Sequence, residues 1–449
     1  MPTTPRALVC VSLAVTAGFV SPAPAHAQQS QNWTTCVNEG DKFSPDVAIS
    51  GCTAIIQSGR ESEKNLAVAY YDRGNAYSNK KDYEHAMSDY NEAIRLNPNY
   101  VSAYNNRGLI FSEQRNFDRS VADYSIAIRL DPKHFSAYSN RCDDLRLQGE
   151  YDRAIDDCTK AIRLKPGYVA ALNNRGLAYA AKKNWDLAIA DYTEAIANDP
   201  RYALAYHNRG LVFSAQGEYD RAIADYSFAI QFNPQYASAY NNRAVAYIRK
   251  KDYDRAIPDA GEAIKYNPKN PFAYNNRGVA YLNKKQYDSA IADLDEALRL
   301  DPKYVTALDN RATSYEGKKD YARAAADYDA ITKLQPANSY AWNSACWDRA
   351  IANQLDEAMK ACEEAIRIKP DYASALDSRG FVHFKRGDFD KAIADFDSAL
   401  KLNAKLSGSL YARGLAKQKK GDETGGMADI TAARDIESGI AERYVDHLK

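Results

Sequence analysis

Nine prolines set the strongest constraint: Pro98, Pro132, Pro166, Pro200, Pro234, Pro268, Pro302, Pro336 and Pro370 stand 34 residues apart, and Ala404 takes the tenth place. A proline ring cannot continue a helical hydrogen-bond ladder, so a helix stops at the same phase of every period. Spacing this regular specifies a stack of similar units. At 449 residues the chain is also too long for a single ordinary core.

From Ala67 to Tyr100, apolar or small residues fall at Tyr70, Gly74 and Tyr77, then at Ala86, Tyr90, Ala93 and Ile94. Both sets have helical spacing. The intervening "NKKDYE" is a polar turn in which Asp82 is placed to cap the second helix. Each unit is therefore expected to be a helix hairpin whose apolar face needs its neighbours. Pro258, followed by Ala260 and Gly261, interrupts one second helix and is expected to kink or soften it.

The series Tyr70, Gly74, Tyr77, Ala86, Tyr90, Ala93, Pro98 resembles the tetratricopeptide repeat, with Arg73 where that pattern has Leu. The resemblance implies an all-α, right-handed superhelical solenoid: eleven units over 67–440, a degenerate capping unit over 28–66, and a closing helix over 441–449. The capping unit keeps Ala48 and Ile55 and carries four extra residues before Ala67, while Ile440, Tyr444, Val445 and Leu448 would share one face of the closing helix. The "CW" at 346–347 and "GCTAIIQSG" at 51–59 are similar to cysteine-containing members of this family exported by alphaproteobacteria.

Arg6, the apolar run from Ala7 to Val20 and "SPAPAHA" with Ala25 and Ala27 read as a secretory signal peptide over 1–27, cleaved after Ala27. The run is shorter than the roughly 20 residues a membrane span needs, so a periplasmic or secreted protein without membrane insertion is expected. Cys10 lies early in that run and reads as filler. With 59 basic and 59 acidic side chains, no excess charge points to nucleic acid or an anionic membrane as partner.

The other six cysteines form pairs 16 residues apart, Cys36/Cys52, Cys142/Cys158 and Cys346/Cys362, in two columns that elsewhere hold Gly74/Tyr90, Gly176/Tyr192 or Gly380/Phe396. A small residue facing a large one marks helices that touch, and touching helices in an oxidising compartment permit a disulfide in each hairpin. Free thiols are the alternative; a metal site would want histidine, and none joins these pairs. His85, His134, His207, His383 and His447 are scattered over separate units, with no ligand or nucleophile spacing.

An Arg recurs at 73, 107, 141, 175, 209, 243, 277, 311, 379 and 413, each followed 16 residues later by Asp. The two exceptions, Thr35/Gly51 and Ala345/Ala361, lack both members. Pairing within the hairpin, as in Arg107 with Asp123 and Arg243 with Asp259, leaves no partner stranded; an arginine ladder for anionic ligands is the alternative.

In the family the first helix of each hairpin lines a concave groove, which would place Asn106, Asn140, Asn174, Asn208, Asn242, Asn276 and Asn310 on it. Amides both donate and accept, so such a ladder can hold an extended peptide by its backbone, an arrangement similar to the asparagine ladder in the repeat domain of O-linked N-acetylglucosamine transferase. Bridging between repeats is the other use of these amides. Beyond the ladder, Tyr340, Trp347, Phe381 and Phe384, with Lys385 nearby, are either binding anchors or packing. The family's carboxylate clamp is absent, since Tyr71, Asn105, Asn106 and Ser136 stand where Lys and Arg are needed.

The functional expectation is an exported scaffold that is not an enzyme, needs no cofactor or metal, and binds protein or peptide segments in an asparagine-lined groove. The alternative is a structural or assembly component of the cell envelope or polysaccharide-export machinery. Partner identity and oligomeric state are not encoded in any feature above.

Overall fold

The computed structural model describes residues 31–448, with side chains as far as residue 444. The signal-peptide reading over 1–27 lies outside the described residues. Among the described residues there are twenty-five helices and no strand. They make two compact units, one ending at Gly217 and one beginning at Glu218. In the first, separate apolar clusters form around Cys36 and Cys52, around Tyr90 and Ile110, around Cys142 and Cys158, and around Leu172 and Tyr192. In the second, a small cluster forms around Tyr247 and Ala280, and a larger one runs from Ala290 to Tyr444.

The hairpin Val101–Glu113 and Phe117–Leu130 shows how the period works. Its second helix stops where Asp131 adopts φ −133° and ψ 95°, the extended backbone that the following Pro132 demands. The first helix stops at a turn in which Arg115 has φ 59°. The same place holds Lys81, Lys183, Lys251, Lys285, Lys319 and Asn353 with φ between 58° and 63°, and glycine at 149, 217, 387 and 421. Every turn thus reverses through a left-handed residue, at a cost of about 1 kcal/mol where it is not glycine. Reading the turn as merely polar missed this, because lysine carries no such preference. Asp82 caps the next helix as expected, its Oδ1 accepting from the His85 N–H at 3.3 Å.

Three irregular places follow from the sequence. The four residues ahead of Ala67 extend the first helix, Glu63–Asn79, which is capped by Ser62. Pro258 sits inside the continuous helix Tyr253–Tyr266, so the expected interruption does not end it. The closing helix runs Ile440–Leu448 and buries Ile440 and Tyr444, the latter's ring centred 5.7 Å from Phe381 and 5.4 Å from Tyr411. The side chains of Val445 and Leu448 lie outside the described residues.

The two helices of a hairpin meet at the glycine column. A Cβ built on Gly108 would stand 2.6 Å from Tyr124 Cε1, and one on Gly380 would stand 2.8 Å from Phe396 Cε1. In the same columns the Cα atoms of Cys36/Cys52, Cys142/Cys158 and Cys346/Cys362 are 4.5, 5.5 and 5.2 Å apart, with their sulfurs at bonding distance.

Gly108→Ala should destabilise its hairpin by about 1–3 kcal/mol through overpacking. Gly261→Ala is the control: its Cβ would find only Arg277 Nη1 at 3.7 Å, and alanine improves a helix interior by up to about 1 kcal/mol. Denaturant unfolding of both variants checks this, and equal losses would remove the close-approach account.

Candidate functional site

The arginine column is the most regular polar feature. Arg107 forks onto Asp123, Nε to Oδ2 at 2.7 Å and Nη2 to Oδ1 at 2.8 Å. Arg243 does the same to Asp259, with both bonds 2.7 Å. The fork recurs in Arg73–Asp89, Arg141–Asp157, Arg175–Asp191, Arg277–Asp293, Arg311–Asp327, Arg379–Asp395 and Arg413–Asp429. The Asp carboxylates are buried and the guanidinium groups mostly so. Bidentate geometry of this kind is among the strongest protein hydrogen bonding. The Asp123 hydrogen bond holds Arg107 firmly charged, against the opposing effect of burial.

A third contact was not legible in the spacing. The remaining Nη1 of Arg107 donates to Asn91 at 2.7 Å, that of Arg141 to Ser125 at 2.9 Å, that of Arg175 to Thr159 at 3.1 Å, and that of Arg243 to Ser227 at 2.9 Å. Arg311 reaches Asp295 in the same way at 2.6 Å. Each acceptor belongs to the preceding repeat. One guanidinium therefore closes its own hairpin and ties it to the one before. The only signal would have been the column Asn91, Ser125, Thr159, Ser227, Asp295, which is oxygen-bearing without being of one type.

The asparagine column also links repeats. Asn140 Nδ2 donates to Asn105 Oδ1 at 3.1 Å, Asn208 to Asn173 at 2.8 Å, Asn276 to Asn241 at 2.9 Å and Asn310 to Asn275 at 2.9 Å. Asn106 uses both amide hydrogens, on Tyr71 Oη at 3.0 Å and Asn75 Oδ1 at 2.9 Å. Asn105 in turn donates to Asn106 Oδ1 at 3.1 Å. Asn106 and Asn208 are buried, whereas Asn140, Asn174, Asn242, Asn276 and Asn310 keep part of their surface. The bridging use is thus present at Asn106, Asn140, Asn208, Asn276 and Asn310. Two hydrogens per amide leave Asn140, Asn276 and Asn310 one each beyond the ladder bond.

The four aromatics do not form one patch. Tyr340 is 52% exposed, with its ring 6.2 Å from Tyr328. Phe381 is fully buried and packs between Trp347 at 5.0 Å and Tyr444 at 5.7 Å; the closing helix covers it, which corrects its expected place as a groove anchor. Trp347 and Phe384 lie partly buried against the same cluster, with Phe384 5.6 Å from Phe389.

Among the described residues no group of three or more His, Cys, Asp or Glu side chains is arranged to hold a metal ion. No described helix is long and apolar enough to cross a membrane.

Models of the tetratricopeptide repeat match residues 67–100, 237–270 and 271–304, residues 107–169, 141–203 and 310–373, residues 89–122 and 191–224, and residues 373–406; a model of the TPR repeat matches 212–251. No curated protein matches the chain. Solved structures similar to it include a tetratricopeptide repeat protein from Parabacteroides merdae, 18% identical, covering 63% of this chain and 98% of its own, with a TM-score of 0.40. Yeast Tom70 is 15% identical over 86% of this chain and 95% of its own, TM-score 0.36. YrrB, described as a TPR protein with an unusual peptide-binding site, is 21% identical over 41% of this chain and 95% of its own, TM-score 0.37.

Removing either member of the fork leaves a buried charge uncompensated, so Arg243→Ala and Asp259→Ala should each destabilise by about 3–5 kcal/mol. The double variant should show a coupling of about 1–3 kcal/mol in denaturant unfolding. Additive losses would mean that the pair is not a unit.

Proposed function

Because the chain belongs to the tetratricopeptide repeat family, we propose that it is an exported, non-enzymatic scaffold that binds peptide or protein segments along the first helices of its hairpins. The observation that carries this reading is the set of partly exposed amides at Asn140, Asn276 and Asn310, each with an amide hydrogen beyond its ladder bond. Within the second unit the hydrogens of Asn276 and Asn310 stand one repeat apart and are held in orientation by the ladder. They suit the carbonyls of an extended segment without selecting its side chains. Tyr340, exposed by half just past the last ladder asparagine, supplies an aromatic anchor of the kind enriched at interfaces. Asn106 and Asn208 act as supports in this reading, since they are buried. The segment is captured by backbone hydrogen bonding over several repeats, with affinity growing by the number of repeats engaged.

Export accounts for the cysteines. Six thiols in three same-hairpin pairs suit an oxidising compartment, and closing loops of this size stabilises by about 3 kcal/mol each in the chain-entropy model.

The binding test is to expose full-length protein to an array of unstructured peptides, alongside Asn276→Ala/Asn310→Ala and Tyr340→Ala. Both variants should lose at least about tenfold in affinity. The Tyr340→Ala unfolding curve should stay within about 1 kcal/mol of the parent, while the asparagine variant, which also removes two bonds between repeats, should lose about 1–3 kcal/mol per bond and is compared where it remains folded. Retention of binding by both would overturn the groove assignment. For export, the protein recovered from a bacterial periplasm or medium should begin at Gln28, and non-reducing peptide mapping should give the three linked pairs. Free thiols, or cytoplasmic retention of the uncleaved chain, would overturn it.

A further inference from the structure

The same column of the repeat places a buried aspartate in two hairpins with opposite surroundings. Asp144, in the helix Phe135–Leu147, is fully buried and accepts two hydroxyls: Ser112 Oγ donates to Oδ1 at 2.7 Å, and Ser120 Oγ donates to Oδ2. Asp348, in the helix Ser339–Ile351, stands six periods later and is 1% exposed, yet neither of its oxygens has a hydrogen-bond partner. Six periods on, Glu316 replaces Ser112 and Ala324 replaces Ser120. The two donors have become a second carboxyl and a methyl.

Glu316, near the end of the helix Val305–Gly317, holds the place from which Ser112 bonds Asp144, so its carboxyl bears on the Asp348 carboxyl, and it accepts from Tyr328 Oη at 3.1 Å. Among the described residues, the charged or titratable groups that bear on this pair are Asp309 from the helix of Glu316 and Tyr328 from the helix Tyr321–Leu334; none is a cation. Arg349, beside Asp348 in sequence, is turned away onto Asp329. Two adjoining carboxylates, one fully buried and the other partly so, cannot both ionise without a counter-charge. Solvent does not reach either Asp348 oxygen, so the neutralising species must be small enough to need no opening.

We propose that Asp348 and Glu316 share one proton, and that this proton makes the joint between the helices Val305–Gly317 and Ser339–Ile351 tighten on acidification. One carboxyl donates its O–H to the other, now a carboxylate that also accepts from Tyr328. Opening the joint releases the proton to water. Burial pushes the Asp348 carboxyl up to about 9, with the Glu316 charge acting in the same direction, and burial also raises Glu316. The sign follows from linkage: the closed joint keeps a proton that the opened chain loses, so stability is greatest below the free carboxyl range near 4 and falls as pH rises, levelling off above about 9. The hairpin concerned lacks the Arg–Asp fork, with Ala345 and Ala361 in its columns; the ionic tie that remains at this joint is Arg349 on Asp329, whose acid lies on the helix Tyr321–Leu334 and not in the carboxyl pair.

Hydrogen exchange of the full-length protein between about pH 5 and pH 8, corrected for intrinsic rates, tests this. Protection of the helix Ser339–Ile351 should fall about tenfold per pH unit relative to the helix Phe135–Leu147 in the same molecule. Glu316→Gln, whose amide can donate to Asp348, and Glu316→Ser/Ala324→Ser, which copies the Asp144 site, should both abolish the difference. If the double variant does not fold, Glu316→Gln alone decides. Equal pH slopes in the two helices, or an unchanged slope in Glu316→Gln, would overturn the shared proton. Protection gained with calcium and lost with chelator would overturn it in favour of a bound cation.

Discussion

The forked guanidinium is the interaction on which the stack depends. Its Nε and Nη2 close one hairpin onto Asp, and its Nη1 reaches back to the hairpin before. A helix hairpin of this size buries too little to stand alone, and stability in such arrays is a sum of unit terms and nearest-neighbour terms. Here a single side chain contributes to both. That coupling explains why Arg and Asp appear together or not at all: a lone member would strand a charge in a place from which water is excluded.

The asparagines work on a second line of the same helices, and their chemistry limits what the surface can offer. An amide that donates one hydrogen to the neighbouring repeat is fixed in rotamer, so its second hydrogen points in a direction set by the stack. The entropy of ordering is spent in folding and not at binding. The ladder ends because Ser344, Ser378 and Ala412 follow Asn310 in the column, and serine does not span the gap that an amide does. The buried oxygens of Asp309 and Asn343 are left without donors there. The change from amide ladder to carboxyl pair is one event in one place, where Glu316 and Asp348 also meet.

What the chain declares in its letters is whatever repeats by residue type. The proline period, the glycine against its aromatic, the cysteine columns and the Arg–Asp separation of 16 all survive intact in the structure. What stayed hidden is whatever repeats by geometry while the letters change. Lys, Arg, Asn and Gly share one left-handed turn position; Asn, Ser, Thr and Asp share one acceptor position for Nη1. The burial of Phe381 depends on Tyr444, which lies beyond the last repeat, so no column comparison could have reported it. Asp348 shares its letter with Asp144, and only the neighbours at 316 and 324 separate a satisfied carboxylate from an unsatisfied one.

The cysteine hairpins show that the two duties of the arginine are separable. In the hairpin of Cys346 and Cys362 the Arg and Asp columns hold Ala345 and Ala361, and the sulfurs stand at bonding distance in their place. The link to the preceding repeat nevertheless survives. Arg349, one helical turn further along, reaches Asp329, which occupies the column of Asn91 and Ser125. Closure within the hairpin has passed to sulfur, and the tie between hairpins has passed to a displaced guanidinium. Cys142 and Cys158 keep the Arg141–Asp157 fork beside them, so a cysteine pair does not by itself displace the ionic pair. The exchange at Cys346 therefore marks a hairpin in which a cysteine pair stands beside alanines where other hairpins carry an ion pair. That hairpin also contains Asp348, so titration at this joint acts on the contact between hairpins while the closure within the hairpin stays outside its reach.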